Sequence, residues 1–446
     1  MAAPSAILRV RDGVALMVGM VVGIGVFKAP SLVALKLGDP LLILGLWAAG
    51  AILVMIGALC YAELASAYPD AGGEVHFLTR AFGPGTAFLF AWGRLAVVQT
   101  GAIAAVAFVF GDYAQRLVPL GAVGPSLYAA LAVVGLGWLN ITGARLSARV
   151  QSGLAAVLIV AVLAMAVLGF VLGPTIPAPA SGAAPGSGDV LAGIGFAMIF
   201  VMLTYGGWNE AAYLSAELKD VKHAMVRMVM IATAIVTILY LALNAAYLHV
   251  LGATAMGASS AIGADYMRAL LGPSGAALLS LIVIIAAATT MNATIFTGAR
   301  SAYAMGRDSG IFAGLGRWDA GAQGPVNAHL VQGAIALGLI ALGTVTRQGF
   351  TTMVEYTAPV FWFFLMLTGV ALFVLRRKGQ APVSSFRVPL YPLTPLVFCA
   401  SSAFMLHASV AYTGAGGLIG VSVLALGLPL WWFVRRRPVP LPEVAG

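Results

Sequence analysis

The sequence predicts an all-α integral membrane protein of twelve spans, ten of them forming two five-span repeats of opposite sense, and three observations carry the prediction. The chain has 446 residues, of which 61% are hydrophobic and only 9% charged, with a mean hydropathy of +0.99. A soluble fold of that size needs more charge on its surface. The apolar residues fall into twelve segments, each near the roughly 20 residues that a bilayer crossing requires. The first and sixth of these segments are interrupted by paired glycines at equivalent places.

In the first segment Gly23 and Gly25 stand two apart in the run Met20-Val21-Val22-Gly23-Ile24-Gly25-Val26-Phe27-Lys28-Ala29-Pro30. Glycine costs a helix interior about 1 kcal/mol relative to alanine. At mid-membrane, lipid offers no hydrogen bonds to replace those a broken helix gives up, so freed backbone groups need a cavity or a ligand. The second half-helix then aims its positive N-terminus, and the first half its free carbonyls, at one small volume. That pairing suits a zwitterion, with its carboxylate on amides and its amine on carbonyls.

In chain order the segments cover 13–37, 40–66, 86–111, 125–142, 151–173, 190–215, 226–250, 273–299, 326–346, 350–375, 391–413 and 415–434. Placing the N-terminus in the cytoplasm puts eighteen of the 24 lysines and arginines at inner ends, four (Lys36, Arg116, Arg268, Arg347) at outer ends, and Lys28 and Arg94 inside spans. Basic residues of short loops stay inside, so both termini are expected in the cytoplasm. The net charge of +9 follows from that topology and implies no nucleic acid partner. Cys60 and Cys399 lie in separate apolar runs and read as packed thiols, not a disulfide. Arg9, Arg11 and Asp12 lead directly into a segment too long for a signal h-region, so no cleavable signal is read. Residues 174–189, rich in Gly, Pro, Ala and Ser, read as an outer linker between halves 10–173 and 190–378. Residues 379–438 hold the last two spans, and 435–446 form a cytoplasmic tail.

The sixth segment carries Leu203-Thr204-Tyr205-Gly206-Gly207-Trp208-Asn209-Glu210. Each repeat begins with a broken span, and an odd number of spans per repeat makes the two enter the membrane in opposite senses. That is the inverted-repeat pattern of secondary transporters.

Several stretches resemble the amino acid-polyamine-organocation superfamily, and its bacterial L-amino-acid transporters in particular. They are Gly23-Ile24-Gly25-Val26-Phe27 with Pro30, then Pro69 with Gly72-Gly73-Glu74, then Tyr205-Gly206-Gly207-Trp208-Asn209 followed by Glu217-Leu218-Lys219, and finally 292–300 with Tyr303-Ala304-Met305-Gly306-Arg307-Asp308. The resemblance covers most of residues 10–378. It implies the LeuT-type fold, five plus five inverted helices with two appended, working by alternating access. It also implies a substrate site of Val21, Gly23, Ile24, Gly25, Leu203, Tyr205, Gly206, Trp208 and Asn209. Within that site Ile24 and Gly25 supply carboxylate-binding amides, and Val21, Leu203 and Gly206 supply amine-binding carbonyls. The sequence departs from the family in three places. Ile24 replaces a common hydroxyl residue, and Leu203 replaces a common aromatic lid, leaving closure to Tyr205 or Trp208. Leu158 stands where some relatives carry a lysine in place of a sodium ion.

The remaining polar residues inside spans are few, because an ionisable group at mid-bilayer costs about 2.5 to 3.5 kcal/mol by insertion scales. Glu210 reads as a helix-cap carboxylate on Ala212 or Tyr213, or else as a gating, substrate or proton-binding group. Glu355 reads as interfacial, or as an outer-gate partner of Arg268 or Arg347. Lys28 snorkels outward, while Arg94 reaches the cytoplasmic surface or Glu63. Thr289 and Thr290 read as helix–helix hydrogen bonders, or as hydroxyls offered to a coupling ion near the first break.

No enzymatic pattern emerges. The five histidines are scattered without metal-ligand spacing, so neither a metal nor a cofactor is expected. A phosphate-cradling ATP loop is missing too, which points to proton- or sodium-gradient coupling, or to exchange. The favoured function is transport of neutral L-amino acids. Alternatives are a cationic amino acid or polyamine substrate, with Glu210 as counter-charge, or a non-transporting amino-acid sensor, against which the short tails argue. Relatives that work with a disulfide-linked heavy subunit carry a cysteine between segments three and four. Residues 112–125 contain none, so no such subunit is expected.

Overall fold

The computed structural model describes residues 8–173, 190–259, 261–307, 312–346, 349–379, 386–412 and 415–434. The expected linker 174–189, Asp308, Arg347 and the tail 435–446 lie outside them. The described chain is all-helical, with no strand beyond isolated backbone bridges.

The first apolar segment is two helices, α1 (Val10–Val21) and α2 (Ala29–Leu37), separated by extended Gly23 and a tight helical turn Ile24–Phe27. Pro30 sits in the first turn of α2, where its missing N–H costs nothing. Helix α3 (Pro40–Ala67) starts where the Asp39 carboxylate accepts the Leu42 amide at 2.8 Å. The return to the next span folds into a short helix, α4 (Glu74–Phe82), before α5 (Pro84–Gly93), a π turn at Arg94–Val98 and α6 (Gln99–Leu117) make one rod. Next come α7 (Gly124–Thr142) and α8 (Ala144–Leu172).

The second half opens with α9 (Val190–Thr204). Its helix is lost at Tyr205, and a tight helical run resumes over Trp208–Glu217. After it come α10 (Val221–Ala258), kinked at Gly252, α11 (Ile262–Leu271), α12 (Pro273–Arg307), α13 (Val326–Thr346), α14 (Gly349–Lys378), α15 (Leu393–Tyr412), α16 (Ala415–Ala425) and α17 (Gly427–Val434). Several helices outrun their apolar segments. The seventh segment, 226–250, lies within α10, whose polar first turn lies beyond any hydrophobic signal.

Among the described residues ten helical stretches, counting α5–α6 and α16–α17 as one each, are long and apolar enough to cross a membrane. The two apolar segments outside that set, 13–37 and 190–215, are the ones that glycine breaks. Leu131, Val134 and Trp138 on α7 and Val157, Val160 and Val167 on α8 all stay more than half exposed, an apolar exterior that only lipid or another protein suits. The chain is a multi-pass membrane protein. Interior packing is densest around α3, α6, α10, α12 and α14, and a two-way backbone pairing, Leu8 amide to Glu217 carbonyl at 2.8 Å and Lys219 amide to Leu8 carbonyl at 3.0 Å, ties the start of α1 to the end of the 208–217 run.

Candidate functional site

The two breaks meet. A Cβ built on Gly25 would stand 2.9 Å from the Thr204 side chain, and one on Gly207 would stand 3.3 Å from the Met20 carbonyl, at a backbone φ of +102° that glycine alone adopts easily. From α10 the Tyr240 hydroxyl lies 2.6 Å from the Val21 carbonyl and 3.1 Å from the Thr204 carbonyl, so a single donor serves both interrupted helices. Nothing in the residue order marks this role, because a tyrosine in an apolar span reads as core until its hydroxyl is required to find a partner.

The expected site residues divide into groups. Val21, Gly23, Ile24 and Gly25 line the first break, and Ile24 and Gly25 begin the turn Ile24–Phe27, where the first amides have no partner inside the helix. The Val21 carbonyl already accepts the Gly23 amide at 2.8 Å as well as Tyr240, and the Leu203 carbonyl accepts the Gly206 amide at 3.1 Å. Leu203 itself is 42% exposed, whereas Tyr205 and Trp208 are buried. Tyr205 packs on Trp47 and Tyr240, with ring centroids 5.9 and 4.9 Å away. Trp208 packs on Tyr61 and Phe398, at 5.0 and 5.8 Å. Both rings are interior packing here. Thr290 reaches across to the Gly19 carbonyl at 3.2 Å, and a Cβ on Gly23 would stand 3.0 Å from its hydroxyl. Thr289 bonds within its own helix, to the Ile285 carbonyl at 2.6 Å. Leu158 in α8 is fully buried.

Two expectations about charge require correction. Arg94 reaches neither the surface nor Glu63: it is buried, and its guanidinium lies 3.4 Å from Glu74, in close contact with Glu210 and 4.2 Å above the Tyr213 ring. Glu63 is taken by Arg376, at 2.7 and 2.6 Å, and by the Val388 amide at 2.6 Å. Glu210 therefore does not cap its helical run through Ala212 or Tyr213. The run begins at Gly207 with no side-chain cap, and Asn209, expected in the substrate site, donates to Glu74 at 3.4 Å. The physical reason is α4, which folds back into the interior and carries Glu74 to the third span. Glu355 makes no ion pair among the described residues, and Arg268 faces Asp265 at 3.7 Å. Lys28 is exposed, as a snorkelling side chain requires.

Glu74 accepts from four donors. Tyr61 at 2.5 Å and Asn209 reach one carboxylate oxygen, and Tyr213 at 2.7 Å and Arg94 reach the other. Burial pushes its carboxyl above the usual carboxylate range, Arg94 opposes that shift, and Glu210 adds to it. At the α1 end of the molecule a cavity of about 580 Å³ is lined by Arg9, Arg11, Asp12, Arg145, Arg149 and Glu217 among others. It stops short of both breaks. Beside it Glu217 pairs with Arg300 at 2.6 Å, both buried. Among the described residues no group of His, Cys, Asp and Glu could hold a metal.

Comparison with known proteins places this geometry. The chain is 28% identical over 405 residues to b(0,+)-type amino acid transporter 1 of Mus musculus, covering 90% of this chain and 81% of that one. It is 25% identical over 427 residues to the serine/threonine exchanger SteT of Bacillus subtilis, covering 95% of each. To the large neutral amino acids transporter small subunit 2 of Mus musculus it is 27% identical over 425 residues, 94% of this chain and 78% of that one. These relatives are transporters and exchangers, not enzymes. The amino acid permease family matches residues 10–433, so the chain belongs to that family, within the amino acid-polyamine-organocation superfamily.

Proposed function

We propose that the chain is a secondary active transporter or exchanger of neutral L-amino acids in the cytoplasmic membrane, working by alternating access. Its twelve spans form the five-plus-five inverted repeat of the LeuT type, with both termini inside. The observation that carries the reading is the meeting of the two breaks at Gly25, Thr204 and Gly207, joined by Tyr240. The substrate carboxylate lies on the Ile24 and Gly25 amides, and its amine on the carbonyls of Val21, Leu203 and Gly206. Val21's carbonyl holds two donors in this conformation, so amine binding displaces Tyr240. The ten long helices together with the two broken segments support the span count.

Neutral substrates are favoured because Arg94 already engages the Glu210 carboxylate, which removes it as counter-charge for a cationic side chain. The cavity at the α1 end, ringed by Arg9, Arg11, Arg145 and Arg149, is the cytoplasmic vestibule in this reading, and its field repels cations. The chain works alone, since Cys60 is buried, Cys399 is half-buried, and neither thiol lies between the third and fourth spans. Purified chain in proteoliposomes is expected to take up labelled alanine or leucine, faster when the vesicles are preloaded with unlabelled amino acid. Uptake no greater than in protein-free vesicles would sink the proposal.

A further inference from the structure

The buried group at Glu74, Arg94 and Glu210 does not balance its charge. Two carboxylates share one guanidinium, and the three side chains are only 3%, 3% and 11% exposed, with Glu210 the most accessible. Among the described residues the surrounding elements bring no second cation. Helix α3 contributes the Tyr61 hydroxyl, which also faces Thr368 of α14. The 208–217 run contributes Tyr213 and Asn209. Helix α14 adds Val360, Phe361, Phe364 and Leu365, and α15 adds Phe398 against Tyr61. An uncompensated negative charge in such surroundings costs more than hydrogen bonds return, and a buried acid then neutralises itself by taking a proton.

We propose that Glu74, Arg94 and Glu210 form a proton-binding group, in which the two carboxylates hold one proton jointly and exchange it in step with amino acid transport. The proposal rests on the transport reading above. The proton arrives from water on one side and leaves to water on the other, so only an O–H bond forms and breaks. The 2.5 Å contact between Tyr61 and Glu74 has the length of a hydrogen bond to an ionised oxygen, and both carboxylates lie against the one guanidinium of Arg94. A metal cation does not fit, because the oxygens of Glu74 are fully engaged and the adjoining void is about 10 Å³, room for one water. Two buried atoms without partners, Arg94 Nε and Asn209 Oδ1, belong to residues that line that void.

Coupling follows from position. Glu210 stands three residues beyond Gly207, on the helical run that follows the second break, while Arg94 belongs to the third span and Glu74 to the inward-folded return before it. Without its proton the group carries excess negative charge, and docking of the 208–217 run against Arg94 weakens. Proton occupancy and movement of the run are therefore linked.

The test compares the full chain with Glu210→Gln and Glu74→Gln. Either substitution leaves one carboxylate on Arg94 and removes the need for a proton. Wild-type proteoliposomes containing a pH-sensitive dye are expected to acidify as alanine enters, and each single variant to move alanine without protons, so that its proton-to-alanine ratio falls to background. Independently of transport, melting of the wild-type chain in detergent is expected to fall as pH rises. Burial holds the folded Glu74 carboxyl above its unfolded value, so the folded chain keeps a proton that the unfolded chain has already lost, and this stabilisation disappears as pH rises through the folded range. The single variants are expected to melt with a flatter pH profile. Alanine exchange by the wild type without acidification overturns the coupling and leaves transport standing, and undiminished acidification by both variants overturns the site. No alanine movement at all overturns the transport reading and the coupling with it. If the variants do not fold, a wild-type melting profile flat in pH overturns the site by itself.

Discussion

The residue that ties the proposed binding centre together is Tyr240, which a sequence cannot distinguish from a core aromatic. The break at Gly23 and Gly25 was legible because a glycine pair inside an apolar run has no packing advantage. Tyr240 was not, since its contact depends on α10 crossing both breaks. The Arg94 partnership was illegible for a related reason: three separate elements meet, and Glu74 lies in a return between spans that the apolar pattern does not place in the interior. Removing the Tyr240 hydroxyl isolates its contribution. Tyr240→Phe keeps the ring packed between Trp47 and Tyr205 while deleting the donor to the Val21 and Thr204 carbonyls. A net loss of about 0.5–1.5 kcal/mol in stability is expected, with slower alanine uptake because the two interrupted helices lose their shared donor. Unchanged melting and uptake would show that the hydroxyl does not hold the breaks.

At the scale of elements, the fold was readable wherever hydrophobic length dominates and unreadable where polar segments fold inward. The apolar runs marked the positions of the long helices, and the glycine pairs marked both interruptions. The extensions of α10 and α12, and the inward return of α4, follow from tertiary contacts that leave no periodic trace. Gly25 and Thr204 give the most direct test of how the two broken segments pack. A methyl group at position 25 has no room at 2.9 Å from Thr204, so Gly25→Ala is expected to cost about 1–3 kcal/mol as an overpacking change and to suppress uptake. Thr204→Ala deletes the opposing side-chain atoms, though the Thr204 Cα remains 3.1 Å away. In the double variant, part of the stability and of the uptake should return. Strict additivity in a double-mutant cycle would mean that the clash is absorbed elsewhere.

For the whole molecule, the distribution of charge decides between substrate classes. The sequence left Glu210 open as a counter-charge, a choice that only the partner of its carboxylate resolves, and that partner is Arg94. At the other end of the proposed inward path, four arginines from α1, its preceding residue and α8 surround the cavity, with Asp12 and the already paired Glu217 as the acidic groups among its lining residues. A cationic amino acid therefore meets repulsion at the vestibule and finds no free carboxylate in the Glu74 group. Steering of this kind weakens with salt, because the screening length shortens from about 10 Å at 0.1 M to about 3 Å at 1 M. Excess unlabelled lysine is expected to leave labelled alanine uptake nearly unchanged at low salt, while excess leucine abolishes it. Raising the ionic strength should not turn lysine into a strong competitor, since the missing counter-charge is a property of the interior and not of the screened vestibule. Strong competition by lysine at either salt concentration would show that a carboxylate remains available to a cationic side chain, and would return the substrate reading to the cationic class.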